Sequence, residues 1–224
     1  MSRNRHAKKT CYMCDQPATS KEHFPPRCFF PDSMRENLCT VPSCEVHNSN
    51  RSKDDEYFLL MIYSHFGNNQ QMQLEGARWA TRAIRNNPRL RSFFQNPRPV
   101  GESLIAFDVD EARINNEIEH IARAAYFYEF HEKWPHSISV ICTGLLSDPM
   151  VDGVSALEKN KLVGQLRDAS KEYLERQPRK GSNPRIFYYQ LERNVDEMTL
   201  FIRMVFYGGM TAFVYSTQTA KENP

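Results

Sequence analysis

The residues whose types and spacing could do chemistry cluster near the front of the chain. Cys11 and Cys14 stand two residues apart, as do Cys44 and His47, and that gap lets both ends of a tight turn face one ion. Thiolate and imidazole are the donors of tetrahedral zinc, and four of them close its shell against water and substrate. Zinc held by Cys11, Cys14, Cys44 and His47 is therefore expected to be structural, a staple across the segment between the two turns. Cys39 competes for the third thiolate position, but only Cys44 has the two-residue spacing to His47. The stapled segment has room for a hairpin and carries Glu22-His23-Phe24-Pro25-Pro26, a carboxylate beside an imidazole followed by prolines. Taken singly, Cys11-x2-Cys14 also reads as a redox pair and Glu22-His23 as an exposed dipeptide. Their enclosure by a second turn favours a built site.

These motifs resemble the HNH endonucleases, also called His-Me finger or ββα-metal nucleases, of the subgroup framed by two zinc-binding turns. In that family an acid-His-x-x-Pro run lies on the first strand, an Asn-Leu pair follows, and the second turn ends in Cys-Asn or His-Asn. Here these elements read Glu22 to Pro26, Asn37-Leu38 and His47-Asn48. The second turn is CxxH rather than CxxC, and the stretch from Asn37 to Asn48 is longer than the commonest spacing. Carried over position by position, the resemblance implies that His23 is the general base for an attacking water. It implies that Glu22 and Asn48 hold a catalytic Mg²⁺ or Mn²⁺, and that Asn37 orients the His23 imidazole or braces the loop. Neutral histidine near its ordinary pKa suits that base role, and a hard cation on sparse oxygen ligands suits a phosphodiester.

Helix and strand signals place these residues. Ser52-Lys53-Asp54-Asp55 reads as a helix start leading into an apolar run, 57–63. Asp54, Asp55 and Glu56 either add a metal ligand or complement the positive end of that helix. The segment 75–86 reads as a helix, and Arg78, Arg82, Arg85 and Arg89 share helical spacing. That stripe either grips nucleic-acid phosphates or is a solvated face. Asn96-Pro97-Arg98-Pro99 suggests a linker or sharp turn. Beyond it come a strand at 103–107 and a helix over 110–132, with Ile114, Ile118, Ile121, Ala125 and Tyr128 on one apolar stripe. His120 and His131 on that helix lack ligand-spaced partners and are read as packing or surface residues. A β-rich run at 137–142, a polar helix at 155–176, and strands at 186–191, 198–206 and 210–216 complete the chain, the last two joined as a hairpin around Gly208-Gly209.

The expected fold class is α+β: a zinc-stapled ββα-metal (HNH) module at 1–66, a basic helical connector at 67–99, and a mixed helical and antiparallel-sheet domain at 100–224 for recognition. With 224 residues and a formal charge of +2, overall charge argues only weakly for nucleic acid, and its distribution matters more. Of six cysteines, Cys28, Cys39 and Cys142 show no pairing pattern, which suits a reducing, cytoplasmic setting. No apolar run is long enough for a bilayer, so no membrane partner is expected. The expected partner is nucleic acid, above all double-stranded DNA, with the last domain available to a protein partner or a second copy. The resemblance implies DNA hydrolysis, in a setting of restriction or phage defence. The competing reading is a zinc-containing module that binds nucleic acid or a partner without hydrolysis.

Overall fold

The fold was analysed in a computed structural model. It describes residues 10–65, 67–69, 85–86, 88–100, 104–143 and 176–216, with 158, 161, 163–165, 168 and 174. Arg78 and Arg82 lie outside the described residues, as does most of the helix read at 155–176. Of the arginine stripe, Arg85 is described and exposed, and Arg89 falls in a four-residue helix, α2, Pro88–Arg91.

The front of the chain folds in the order strand, strand, helix. Strand β1 (Ser20–His23) pairs antiparallel with β2 (Thr40–Ser43), so that Glu22 lies opposite Val41 and His23 opposite Thr40. The loop between them carries short 3-10 turns at Arg27–Phe29 and Asp32–Met34. Helix α1 (Ser52–Ser64) follows and buries Tyr57 through Ile62 on consecutive positions. Burial all round a turn marks a helix enclosed by other elements rather than lying on a surface.

Helix α3 (Glu111–Phe130) supplies much of that enclosure. The Asp110 side chain caps it by accepting from Arg113 N, and His131 ends it with φ 58°. Ile114, Ile118 and Ala125 are fully buried and Ile121 nearly so. Tyr128, expected on the same stripe, is 44% exposed, although its ring meets Phe24 edge-on at 5.3 Å. On that last stretch of the helix Ala124, Ala125 and Tyr126 are the buried positions instead.

The linker expected at 96–99 is instead strand β3 (Gln95–Val100), paired antiparallel with β4 (Leu104–Asp108) and shifted in register between Gln95 and Arg98. A two-stranded ribbon has an outer edge on which proline needs no N–H donor. The remaining strands, β5 (Ser139–Cys142), β6 (Lys180–Asn183), β7 (Phe187–Asn194), β8 (Thr199–Phe206) and β9 (Met210–Ser216), form one antiparallel sheet in the order β5-β9-β8-β7-β6. The chain is thus mixed α+β with antiparallel sheets. One hydrophobic cluster joins buried residues between Cys11 and Ile62 with others between Ile114 and Val214. No described helix is long and apolar enough to cross a membrane.

Candidate functional site

Cys11, Cys14, Cys44 and His47 converge, with one donor atom from each inside a 4.8 Å cluster that could hold a metal ion. The first turn is fastened to the hairpin by Tyr12 N donating to Pro42 O at 2.8 Å and Thr19 N to Ser43 O at 2.9 Å. Cys14 Sγ lies 3.8 Å from Cys44 Sγ and 3.5 Å from His47 Nδ1, and Cys11 Sγ is 3.6 Å from the same nitrogen. Burial pushes the Cys11 thiol up, but backbone N–H groups of Met13, Cys44 and Cys14 outweigh it and hold it below its ordinary value. Burial and the nearby Arg51 keep the His47 imidazole neutral, the form that binds a cation. Cys39 is engaged elsewhere, with Ser182 Oγ donating to its sulfur at 3.2 Å.

A second group of residues lines a cleft at the end of β1. Glu22, His23 and Asn48 line one cleft of 610 Å³, together with Arg27 and Lys53 on its walls and Asp55 from the first turn of α1. Asn48 donates Nδ2 to Ser20 Oγ at 2.8 Å and to Lys21 O at 3.2 Å, tying the turn before α1 to the first strand. It makes no side-chain cap to the 3-10 turn that follows. Asn37 is exposed in a turn with φ 52° and does not line the cleft. Its side chain is placed by a left-handed backbone of the kind asparagine tolerates.

Behind the cleft, Glu22, Asp55, Glu117 and Arg51 line a void of 10 Å³. Burial lifts the Glu22 carboxyl to about 7 despite the attraction of Arg51, with Glu117 pushing the same way. Asp55 is raised to about 7 by burial and by Glu22, and Glu117 to about 8 by burial against the opposing pull of Arg51. Arg51 and the fully buried Glu117 form an ion pair. Glu117 Oε2 is buried without a hydrogen-bond partner. Glu22 Oε2 is likewise buried without a donor, and such an oxygen is satisfied by a proton or a cation. His23 is held below its ordinary pKa by burial and by Arg27, so near neutrality it is an unprotonated imidazole with a free lone pair.

Helix α3 positions this layer turn by turn. Arg113 Nε donates to Asp54 Oδ1 at 2.6 Å, Glu117 meets Arg51, and His120 Nδ1 lies 3.5 Å from Tyr12 Oη. His120 also sits with its ring centroid 5.7 Å from that of His47. It thus joins the two sites by packing, as a histidine without ligand-spaced neighbours was expected to. Sequence reasoning missed Arg51 and Glu117. The signal for Glu117 was present: an acid at helical spacing between Ile114 and Ile121, inside the apolar stripe. Arg51 carried none.

Comparison of the chain with protein-family models, with curated proteins and with solved structures found no match in any of the three.

Proposed function

We propose that this chain is a divalent-metal-dependent endonuclease of the HNH type that hydrolyses DNA phosphodiester bonds. The observation that carries the reading is the shared cleft: an unprotonated imidazole and a buried carboxylate oxygen without a donor stand side by side at the end of β1, facing the turn that brings in Asn48. In this reading Glu22 and Asn48 hold a Mg²⁺ or Mn²⁺, Asn48 through its carbonyl oxygen because its amide nitrogen is spent on β1. When bound, such an ion supplies positive charge to the scissile phosphate and the leaving oxygen. His23 takes the proton from the attacking water. The strand-strand-helix order of β1, β2 and α1 supports the assignment.

The thiolate cluster is proposed as structural zinc. Bonds of about 2.3 Å to sulfur and about 2.0 Å to nitrogen in a tetrahedron give edges of about 3.8 Å between sulfurs and about 3.5 Å from sulfur to nitrogen. The Cys14–Cys44, Cys14–His47 and Cys11–His47 separations, 3.8, 3.5 and 3.6 Å, lie close to those edges, and Cys44–His47 at 3.2 Å is shorter.

Incubating the zinc-loaded protein with supercoiled plasmid tests the proposal. Relaxed or linear product is expected with Mg²⁺ or Mn²⁺, and none without an added divalent ion. An intact plasmid in the presence of both ions would overturn it.

A further inference from the structure

Three carboxyls and one guanidinium line the void behind the cleft, and only one of the three is paired with it. Arg51 meets Glu117, the fully buried member of the set, and among the described residues it makes no ion pair with Glu22 or Asp55. Its other terminal nitrogen, Nη1, is buried without a partner, and so is Glu22 Oε2. A donor and an acceptor that could satisfy each other thus belong to side chains around the same 10 Å³ and are not joined. Burial raises the Glu22 carboxyl and Arg51 pulls against it, so attraction reaches across the void. What holds the guanidinium back is its bond to Glu117, whose carboxylate would be left buried and uncompensated if Arg51 swung away. Glu117 comes 66 residues after Arg51, on α3, and does not itself line the cleft.

We infer that Glu117 is a positioning residue: by engaging Arg51 it keeps that guanidinium off Glu22 and leaves the Glu22 carboxylate open to a divalent cation. The inference rests on the metal site of the proposed nuclease and adds to it a residue from α3. An arginine on a carboxylate excludes a cation as a proton does, because each occupies the lone pairs the ion needs. Glu117→Gln removes the charge that holds Arg51 and leaves Glu22 and Asp55 as its acidic partners in the void. Arg51 N also donates to Asn48 O at 3.0 Å. Loosening of the turn that carries Asn48 is therefore a second effect of the same substitution, and the two are separable.

Mn²⁺ binding to the full-length zinc-loaded protein separates them, read from the free-ion electron paramagnetic resonance signal under nitrogen. The buffer is set at about pH 8.5, above the values of all three carboxyls, so that protons do not compete. Glu22→Gln marks the site, and the binding that it removes is the binding compared. Glu117→Gln is expected to weaken that binding about 10–100-fold, the usual loss when a residue supporting a metal ligand is changed. Glu117→Gln with Arg51→Met removes the guanidinium together with its holder, a replacement that buried ion pairs tolerate. The double variant is expected to recover the wild-type affinity, whereas a turn loosened by the loss of the pair would stay loosened in it. Unchanged affinity in Glu117→Gln, or weak binding that persists in the double variant at full zinc content, overturns the inference and leaves the metal site. If Glu22→Gln removes no Mn²⁺ binding, the metal site falls and the inference with it. A wild type that cuts no plasmid, yet shows the loss and its recovery, supports the role of Glu117 and removes the nuclease.

Discussion

Glu22, Asp55 and Glu117 crowd around one guanidinium, and burial raises all three carboxyls, to about 7, about 7 and about 8. A carboxyl with a raised pKa stabilises the fold below its unfolded value and loses that contribution as pH rises through its folded value. For Asp55 this window runs from 3.8 to about 7. Asp55→Asn removes that titration, so its Tm minus that of wild type is expected to rise between about pH 5 and about pH 8.5 in buffer free of added divalent ions. A difference independent of pH would contradict the placement of Asp55. In the proposed nuclease the same chemistry reaches catalysis. Glu22 is protonated below about 7, whereas His23 stays neutral to lower pH. Cleavage is therefore expected to fail on the acid side through Glu22, and raising Mn²⁺ at about pH 6 is expected to restore it, because cation and proton compete for one carboxylate. A rate indifferent to Mn²⁺ there would assign the acid limb to another group. Glu22 and His23 were legible because an acid beside an imidazole between two metal turns is unusual in type and spacing. Asp55 was legible only as an alternative to a helix-end charge, since sequence alone does not show which way the first turn of a helix faces.

The four-donor cluster closes the ends of a segment whose own strands are four residues each, too short to stand without support. Cys14→Ser is expected to lose the ion and, with it, the pairing of β1 with β2, read as absent zinc by elemental analysis and lost protection of the Glu22 and Val41 amides, which face each other across the ladder, in hydrogen exchange. Zinc in such sites contributes about 10–16 kcal/mol in isolated fingers, as much as a whole domain's stability. Retained zinc with native exchange would mean that Cys14 is not a ligand. Both metal turns, α3, β8 and β9 were readable from spacing and periodicity. Strand β6 was not: Lys180-Gly181-Ser182-Asn183 has poor strand formers, and it forms because β7 offers an edge. There Gly181 takes φ 130°, with an added Cβ only 2.9 Å from Phe187 O. Nor was β3, whose prolines read as a linker until a partner strand is known.

Across the whole molecule the front module and the sheet share one interior. The Phe29, Phe58 and Phe206 rings, from the loop after β1, from α1 and from β8, meet at 5.6, 6.2 and 5.2 Å, and Tyr207 Oη donates to Phe29 O at 2.6 Å. Phe29→Ala is expected to cost about 3–5 kcal/mol, seen in calorimetry as a shift of a single transition. Two separate transitions would contradict a shared core. That continuity also gives the cleft a rigid rear wall, since α3 packs between hairpin and sheet while carrying Glu117. The proposed role of His23 as the base is tested most directly by one measurement. Initial rates of plasmid cleavage in Mg²⁺ are compared for wild type and His23→Ala, purified side by side and matched for zinc per chain. A fall of about 10²–10⁴-fold at equal zinc is expected, the usual contribution of a positioned general base; equal rates would contradict it.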